Sequence, residues 1–427
     1  MNSLRNRTQV ILWTLVLSVA ATTLVLAFTG GEKKLDEQVS REYALHDAQY
    51  QRALGVMLGP PITEGNRFEA LHNGDRIFPP MLAAIRSARQ SITFETYIYW
   101  SGDIGRAFAD ALSERSRAGV KVHVLLDWVG SAKVNEEFVK EMEDAGVQIR
   151  KFHKPNWYDI TRMNNRTHRK LLVVDGRVGF TGGVGIAPAW TGDAQDAEHW
   201  RDSHFKVEGP VVAQMQAVFM DNWIKVSGDV LHGERYFPPI ASMGSGRAQM
   251  FSSSPSGGSE SMHLMYLLSI AAATKSIDLA SAYFVPDDLT VKALVAAMQR
   301  GVRVRIITPG PIIDSKTVRG ASRAAWGPLL EAGAEISEYQ PTMFHCKVFT
   351  VDGLLVSVGS TNFDNRSFRL NDEANLNIYD EAFASMQRIQ FEADLKQSRL
   401  ITLDEWRERP LSEKALEHLA SLLSAQL

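Results

Sequence analysis

A chain of 427 residues with 45% hydrophobic content can bury an extensive core and form two domains with residues to spare, which excludes a disordered or fibrous protein. Its 46 Lys and Arg against 49 Asp and Glu leave a formal charge of −3, which weighs against a broadly basic grip on nucleic acid. Its one cysteine, Cys346, excludes an internal disulfide and is compatible with either side of a membrane.

The first predicted element is the uncharged run VILWTLVLSVAATTLVLAF, Val10 to Phe28. As a helix rising about 1.5 Å per residue it spans roughly the 30 Å of a bilayer's hydrocarbon core. We read residues 10–28 as a single transmembrane helix within a membrane-anchor and juxtamembrane segment, 1–45. A cleaved signal peptide and a buried core helix are the competing readings. The run exceeds the usual apolar part of a signal peptide, and no small-x-small site precedes the polar Gly30 to Lys34. Arg5 and Arg7 at one end and Lys33, Lys34 and Arg41 at the other leave the orientation open.

Beyond a polar, helix-prone stretch from Lys34 to Leu54, the chain is a duplication. The first copy runs ARQSITFETYIYW (from Ala88), DIGRAFADALSERSRAGVKVHVLLD (from Asp103), DAGVQI (from Asp144) and HRKLLVVDG (from His168). The second runs ATKSIDLASAYFV (from Ala273), DLTVKALVAAMQRGVRVRIITPG (from Asp288), EAGAEI (from Glu331) and HCKVFTVDG (from His345). Ile104, Ala107, Phe108, Ala111 and Leu112 fall at helical spacing, as do Val291, Leu294, Val295 and Met298. Gly119 and Gly301 then permit left-handed caps. KVHVLLD and VRVRIITP are apolar and β-branched, so each half predicts strand–helix–strand units building an α/β fold with a mixed, largely parallel sheet flanked by helices. The Ser-, Gly- and Pro-rich Met250 to Glu260 is predicted to be a loop and boundary, giving domains over 46–245 and 246–427. At the end of the chain, Leu416, Leu419 and Leu423 share one face of a predicted helix. Its simplest role is to close the second core, with an interfacial membrane helix as the alternative.

The repeated element is His-x-Lys-x-x-x-x-Asp-Gly. Strand alternation puts His168 and Lys170 on one face, and likewise His345 and Lys347. Neither copy alone makes a complete site for displacement at phosphorus, which needs one group to attack and another, opposite, to protonate the leaving oxygen. Two imidazoles meeting across a pseudo-two-fold axis supply both near neutral pH. Lysines and amides can then neutralise the phosphoryl oxygens, so no metal or other cofactor is expected.

His168-x-Lys170-x-x-x-x-Asp175 and His345-x-Lys347-x-x-x-x-Asp352, followed by Gly182-Gly183 and by Gly359-Ser360-Thr361-Asn362, resemble the paired motifs of the phospholipase D superfamily. FETYIYW, SAYFVPDD, EHWRDSHFKVEGP and GSTNFDNRSFRLNDEANL are similar to bacterial cardiolipin synthases, from about Phe68 to Leu427. The resemblance implies two tandem phospholipase D-like domains and a transferase of the cell (inner) membrane. It implies phosphatidyl transfer through a phosphohistidine, with phosphatidylglycerol and possibly a second phosphatidyl donor as substrates. By the same resemblance His168 is the nucleophile and His345 the acid and then base. Lys170, Lys347, Asn362 and Ser360 bind phosphate, and Asp202 and Glu373 orient the imidazoles. The motif aspartates Asp175 and Asp352 are counted with the catalytic set, although holding the strand-end turns suits them better than touching substrate. The first copy departs from the pattern, reading Gly182-Gly183-Val184-Gly185 where an Asn is expected.

Several positions carry two readings. Glu95, Tyr97 and Tyr99 line the cleft or are ordinary strand residues. Arg366 contacts a second phosphate or pairs within its turn. His199 and His204 make polar contacts rather than a zinc pair, and Cys346 points away from His345. A hydrolase, a nuclease of the same superfamily and an inactive lipid-binding scaffold are the rivals. The lack of net positive charge weighs against nucleic acid as a partner.

Overall fold

The computed structural model describes residues 2–29, 35, 37–152, 165–255 and 261–426. Helices α1 (Asn2–Thr29) and α2 (Ala48–Met57) precede the sheet-forming chain. The first half runs β1 (Thr63–His72), α3 (Gly74–Ser87), β2 (Ser91–Thr96), α4 (Asp103–Arg117), β3 (Lys121–Asp127), α5 (Glu136–Asp144), β4 (Gln148–Phe152), β5 (Arg166–Thr167), β6 (Leu171–Val174), β7 (Val178–Gly182), β8 (Ser203–Glu208) and α6 (Val211–Ser227). The second begins with β9 (Gly246–Ser253), α7 (Ser261–Ala272), β10 (Ser276–Ser281), β11 (Phe284–Val285), α8 (Asp288–Gln299), β12 (Arg303–Pro309), α9 (Lys316–Ala324), α10 (Trp326–Glu331) and β13 (Glu335–Tyr339). It continues with β14 (Lys347–Val351), β15 (Leu355–Gly359), β16 (Phe363–Asp364), β17 (Asn371–Tyr379), α11 (Glu381–Leu395), β18 (Ser398–Ile401), α12 (Leu403–Glu408) and α13 (Leu411–Ser421). Gly119 and Gly301, just past α4 and α8, both sit at φ +91°, a conformation that glycine adopts without cost.

The two halves share one 16-stranded sheet, ordered β4-β3-β2-β6-β7-β8-β1-β9-β17-β15-β14-β10-β12-β13-β18, with β5 off the path beside β17. Outward from the central antiparallel pair β1 and β9, the arms correspond strand for strand as far as β4 and β13, which is the expected pseudo-two-fold relation, and β18 is added at the edge of the second arm. The sheet is mixed but not largely parallel. Among the sheet's main-path pairs, only β2 with β3, β3 with β4, β10 with β12 and β12 with β13 are parallel. Helical crossovers make those pairs, whereas the motif strands β6 and β14 turn straight back at Asp-Gly and pair antiparallel with β7 and β15.

Two sequence expectations change here. Met250 to Ser253, read as loop, belong to β9, where Met250 and Phe251 are fully buried; residues 256–260 of that stretch lie outside the described residues. Helix α2, assigned to the first domain, packs on the second. Leu45, Tyr50 and Leu54 join the core of Met265, Leu267 and Ile270, the Leu45 N–H donates to the Ala272 carbonyl (3.1 Å), and the Tyr50 hydroxyl meets Ser269 Oγ (3.1 Å). The apolar spacing of α2 gave no direction for its buried face.

In α1 the side chains of Gln9 to Thr22 are described and all are exposed, Trp13 by 65%. Among the described residues no helix is long and apolar enough to cross a membrane. The stretch 9–22 reaches about 21 Å as helix, short of the hydrocarbon thickness. The rest of the anticipated span, 23–28, lies outside the described side chains, and its polar flank at 30–34 lies outside the described residues.

Candidate active site

Each motif histidine is positioned by the opposite half. β5 runs parallel to the start of β17, so the His168 N–H donates to the Asp372 carbonyl (2.9 Å). The next residue, Glu373, takes the imidazole: His168 Nδ1 lies 2.9 Å from its Oε1. The pseudo-symmetric contact is built the same way. The His345 N–H donates to the Arg201 carbonyl (2.7 Å), and Asp202 accepts from His345 Nδ1 (2.7 Å). The bidentate ion pair of Arg201 with Asp394 of α11, 2.9 Å on both arms and buried, holds this crossing in place.

With Nδ1 bonded to carboxylate on both rings, the Nε2 positions are the ones left for chemistry. Both rings line a single cavity of roughly 490 Å³, together with Tyr97, Arg166, Lys170, Asn362 and Arg366. Burial, with Lys170 nearby, pushes His168 down to about 4 against the pull of Glu373, so its imidazole is neutral at pH 7. Burial also lowers Lys170 to about 7, and burial with Lys347 lowers His345. Burial alone would raise Glu373 and Asp202, but the adjoining imidazoles and lysines outweigh it and hold both carboxylates below their ordinary values.

The remaining motif residues divide by task. The ammonium groups of Lys170 and Lys347 each donate to the carbonyl of their own histidine (2.7 Å both), and Lys347 Nζ lies 3.3 Å from His345 Nε2. Asp175 and Asp352 do not reach the cavity. Asp175 accepts from the N–H groups of Arg89, Gln90 and Ser91 (2.7 to 3.1 Å), and Asp352 from those of Thr274, Lys275 and Ser276 (2.7 to 3.0 Å). Each tethers a motif turn, at φ +53°, to the neighbouring strand. Ser360, expected at the phosphate, is fully buried and donates to Glu373 Oε2 (2.5 Å), so it fixes the carboxylate instead.

The asymmetry of the first copy has a physical cause. Gly183 stands where Ser360 stands in the second copy, and a Cβ there would lie 2.2 Å from Asp202 Oδ1. The indole N–H of Trp190 supplies the missing donor, 2.9 Å from Asp202 Oδ2. Gly185 stands where Asn362 does, and a Cβ there would meet Ile98 at 2.8 Å and the Trp190 ring at 3.1 Å. Trp190 therefore supplies the donor that Ser360 gives in the second copy, and its ring fills the space beside Gly185.

A family model described as the PLD-like domain of cardiolipin synthase matches residues 81–223 and 266–395. The cardiolipin synthase of Alkalihalophilus pseudofirmus is 33% identical over 400 residues, covering 93% of this chain and 79% of that protein. A probable cardiolipin synthase of Bacillus subtilis is 35% identical over 369 residues, covering 86% and 73%. The chain belongs to the cardiolipin synthase family. In fold, the phosphatidylserine synthase of Haemophilus influenzae matches with a TM-score of 0.68 at 14% identity over 89% of this chain and 99% of that one.

Within this cardiolipin synthase site the sequence does not single out Trp190, Trp200 and Asn371, whereas it does single out Tyr97, Asn362 and Arg366. Trp190 and Trp200 pack their rings 5.2 and 5.3 Å from that of His345, and Tyr97 meets His168 edge-on at 5.2 Å. Asn371 and Asn362 line the cavity, and their buried Oδ1 atoms have no hydrogen-bond partner among the described residues. Arg366 lines it too and donates to the Gln426 carbonyl (3.1 Å). Of the other two-way positions, Tyr99 is core, bonded to the Gly105 carbonyl (2.8 Å), and Glu95 lies beneath the site. Glu95 is bonded to Thr167 and to Asn222 (2.8 Å), and burial raises it to about 7. His199 bonds Asp196 (2.7 Å), His204 is buried, and Cys346 is buried behind the strand. Two tryptophans at unremarkable spacing gave no signal; their proximity to His345 exists only once Arg201 bridges to Phe344 and His345 of the other half.

Proposed function

We propose that this phosphatidyltransferase of the cardiolipin synthase family works by a two-step relay between its two histidines, with phosphatidylglycerol as substrate. His168 Nε2 attacks the phosphodiester, forming a P–N bond as the P–O bond to the departing alcohol breaks, and His345 gives that alcohol its proton. A phosphatidylglycerol hydroxyl then gives a proton to His345 as its oxygen attacks phosphorus, and the P–N bond breaks to release cardiolipin. The neutral His168 imidazole suits the first role. An anionic phosphodiester in the cavity counters the burial that depresses His345 and Lys170, favouring their protonated forms in the complex.

The observation that carries this reading is the crosswise support, in which Glu373 of the second half holds His168 and Asp202 of the first holds His345. That Lys170 and Asn362 both line the cavity supports roles for them at the phosphoryl oxygens, the lysine by charge and the amide by hydrogen bonding. The orphan Oδ1 atoms of Asn362 and Asn371 support the binding of a hydroxyl-bearing acceptor, whose O–H groups would donate to them. Residues 10–28 are proposed to anchor the enzyme in the inner membrane, where both substrates reside.

Mass spectrometry of lipids from a cardiolipin-deficient host tests the activity. Cardiolipin is expected with the native chain and absent with His168→Ala or His345→Ala. Phosphatidic acid accumulating in its place would convert the reading to a hydrolase.

A further inference from the structure

Helix α13 does not close the second core with its leucines. Leu411, Leu416, Leu419, Leu422 and Leu423 are 82%, 68%, 60%, 68% and 52% exposed. At about 100° per residue Leu411, Leu416 and Leu419 of the helix fall within an arc of roughly 140°, and Leu422 and Leu423 follow just past its end. The opposite side faces the protein through a charge: Glu417, 5% exposed, accepts from Arg323 (2.7 Å) and Arg409 (2.6 Å), while Ala420 lies against Gly320 of α9. The helix is thus bolted down by its polar side and presents its apolar side outward, the reverse of a core-closing helix.

Its position singles out what it meets. Helix α9, on which α13 lies, begins beside Asp314, Ser315 and Val318 in the wall of the catalytic cavity. Past α13, the carbonyls of Ser424 and Gln426 accept from Asn365 (3.1 Å) and from the cavity residue Arg366 (3.1 Å). Helix α13 therefore lies one helix away from the cavity wall, and the chain just past it reaches the cavity residue Arg366. Beside it, a cleft of about 380 Å³ is lined by Trp406, Arg407, Arg409, Lys414 and His418, with Arg407 on Glu331 (2.7 Å) and Arg409 on Glu417. Apolar side chains outward, an indole and Lys414 and His418 on the flank, and a lipid-consuming cavity one helix away make up an interfacial surface.

We propose that α13 docks the catalytic part onto the bilayer, its leucines among the acyl chains and its basic flank at anionic headgroups, so that phospholipid enters the cavity without crossing water. The inference rests on the reading above that both substrates are membrane lipids. Its test uses the full chain, one copy per nanodisc of phosphatidylglycerol and phosphatidylethanolamine, with a fluorophore on a Leu419→Cys variant. Cys346 is buried, which directs the label to position 419.

The label is expected to be quenched by lipid-borne doxyl groups and shielded from iodide. Quenching by iodide alone overturns the proposal, and so does shielding found only where two copies share a disc, which assigns the face to a second copy. No turnover is needed, so a failed transferase reading would register in the lipid products and not here. The variant Leu416→Glu with Leu419→Glu is expected to lose about tenfold or more activity on bilayer lipid. On a short-chain, monomerically dissolved phospholipid its activity should stay within about twofold of the parent, because both leucines are mostly exposed. Equal loss on both substrates would make α13 a structural element and overturn the proposal.

Discussion

At the residue scale, both motif imidazoles are hydrogen-bonded to a carboxylate, and each carboxylate accepts in turn from a different donor. Glu373→Gln or Asp202→Asn should leave the fold intact and lower kcat by about two to four orders of magnitude, because an amide stabilises neither the tautomer nor the developing imidazolium. Ser360→Ala and Trp190→Phe each remove one hydrogen bond to those carboxylates (2.5 and 2.9 Å) and should cost about tenfold in kcat, with KM little changed. In the free enzyme the pH profile follows from burial. His168 must be neutral to attack, so kcat/KM falls as pH drops through about 4; His345 must carry the proton it gives, and burial with Lys347 lowers it, so kcat/KM falls again on the alkaline side below the ordinary imidazole value, before Lys170 loses its charge at about 7. In kcat, which reports the complex, the alkaline limb should lie higher, because bound phosphodiester favours the protonated forms of His345 and Lys170. The motif histidines, lysines and carboxylates were legible in the sequence because the duplication repeats them in register. Ser360 and Trp190 were not. Their tasks depend on which half each carboxylate comes from, and no local spacing encodes a cross-half contact.

At the element scale, the strand–helix–strand units were readable from periodicity, and the antiparallel majority of the sheet was not, because a hydrophobic strand carries no mark of its partner's direction. What fixes the motif strands is the pair of turn aspartates. Asp175→Ala removes the acceptor of three N–H groups and should lower stability by about 2 to 3 kcal/mol in denaturant unfolding, with His168 chemistry retained in the fraction that remains folded. Loss of activity with unchanged stability would return Asp175 to the catalytic set. The crossing of Arg201 with Asp394 is a buried pair, so Arg201→Met leaves an uncompensated carboxylate and should cost about 3–5 kcal/mol. Helix α13 was predicted as a helix from its leucine spacing, but spacing gives only a face and not the surface it meets; Glu417 decided that.

At the scale of the whole molecule, one sheet runs through both halves, α2 is borrowed by the second half, and a buried apolar cluster takes Leu171, Val173 and Phe205 from the first half with Val356, Val358 and Leu376 from the second. Neither half therefore contains an active site of its own: each holds one imidazole and the carboxylate that serves the other. The most direct measurement of that claim is covalent trapping with a phosphatidyl donor carrying p-nitrophenol as leaving group, which needs no acid for the first step. With His345→Ala, one equivalent of p-nitrophenol should appear in a burst, and peptide mapping under alkaline conditions should find the phosphatidyl group on His168. A label on any other residue, or an undiminished burst in His168→Ala, would contradict the account.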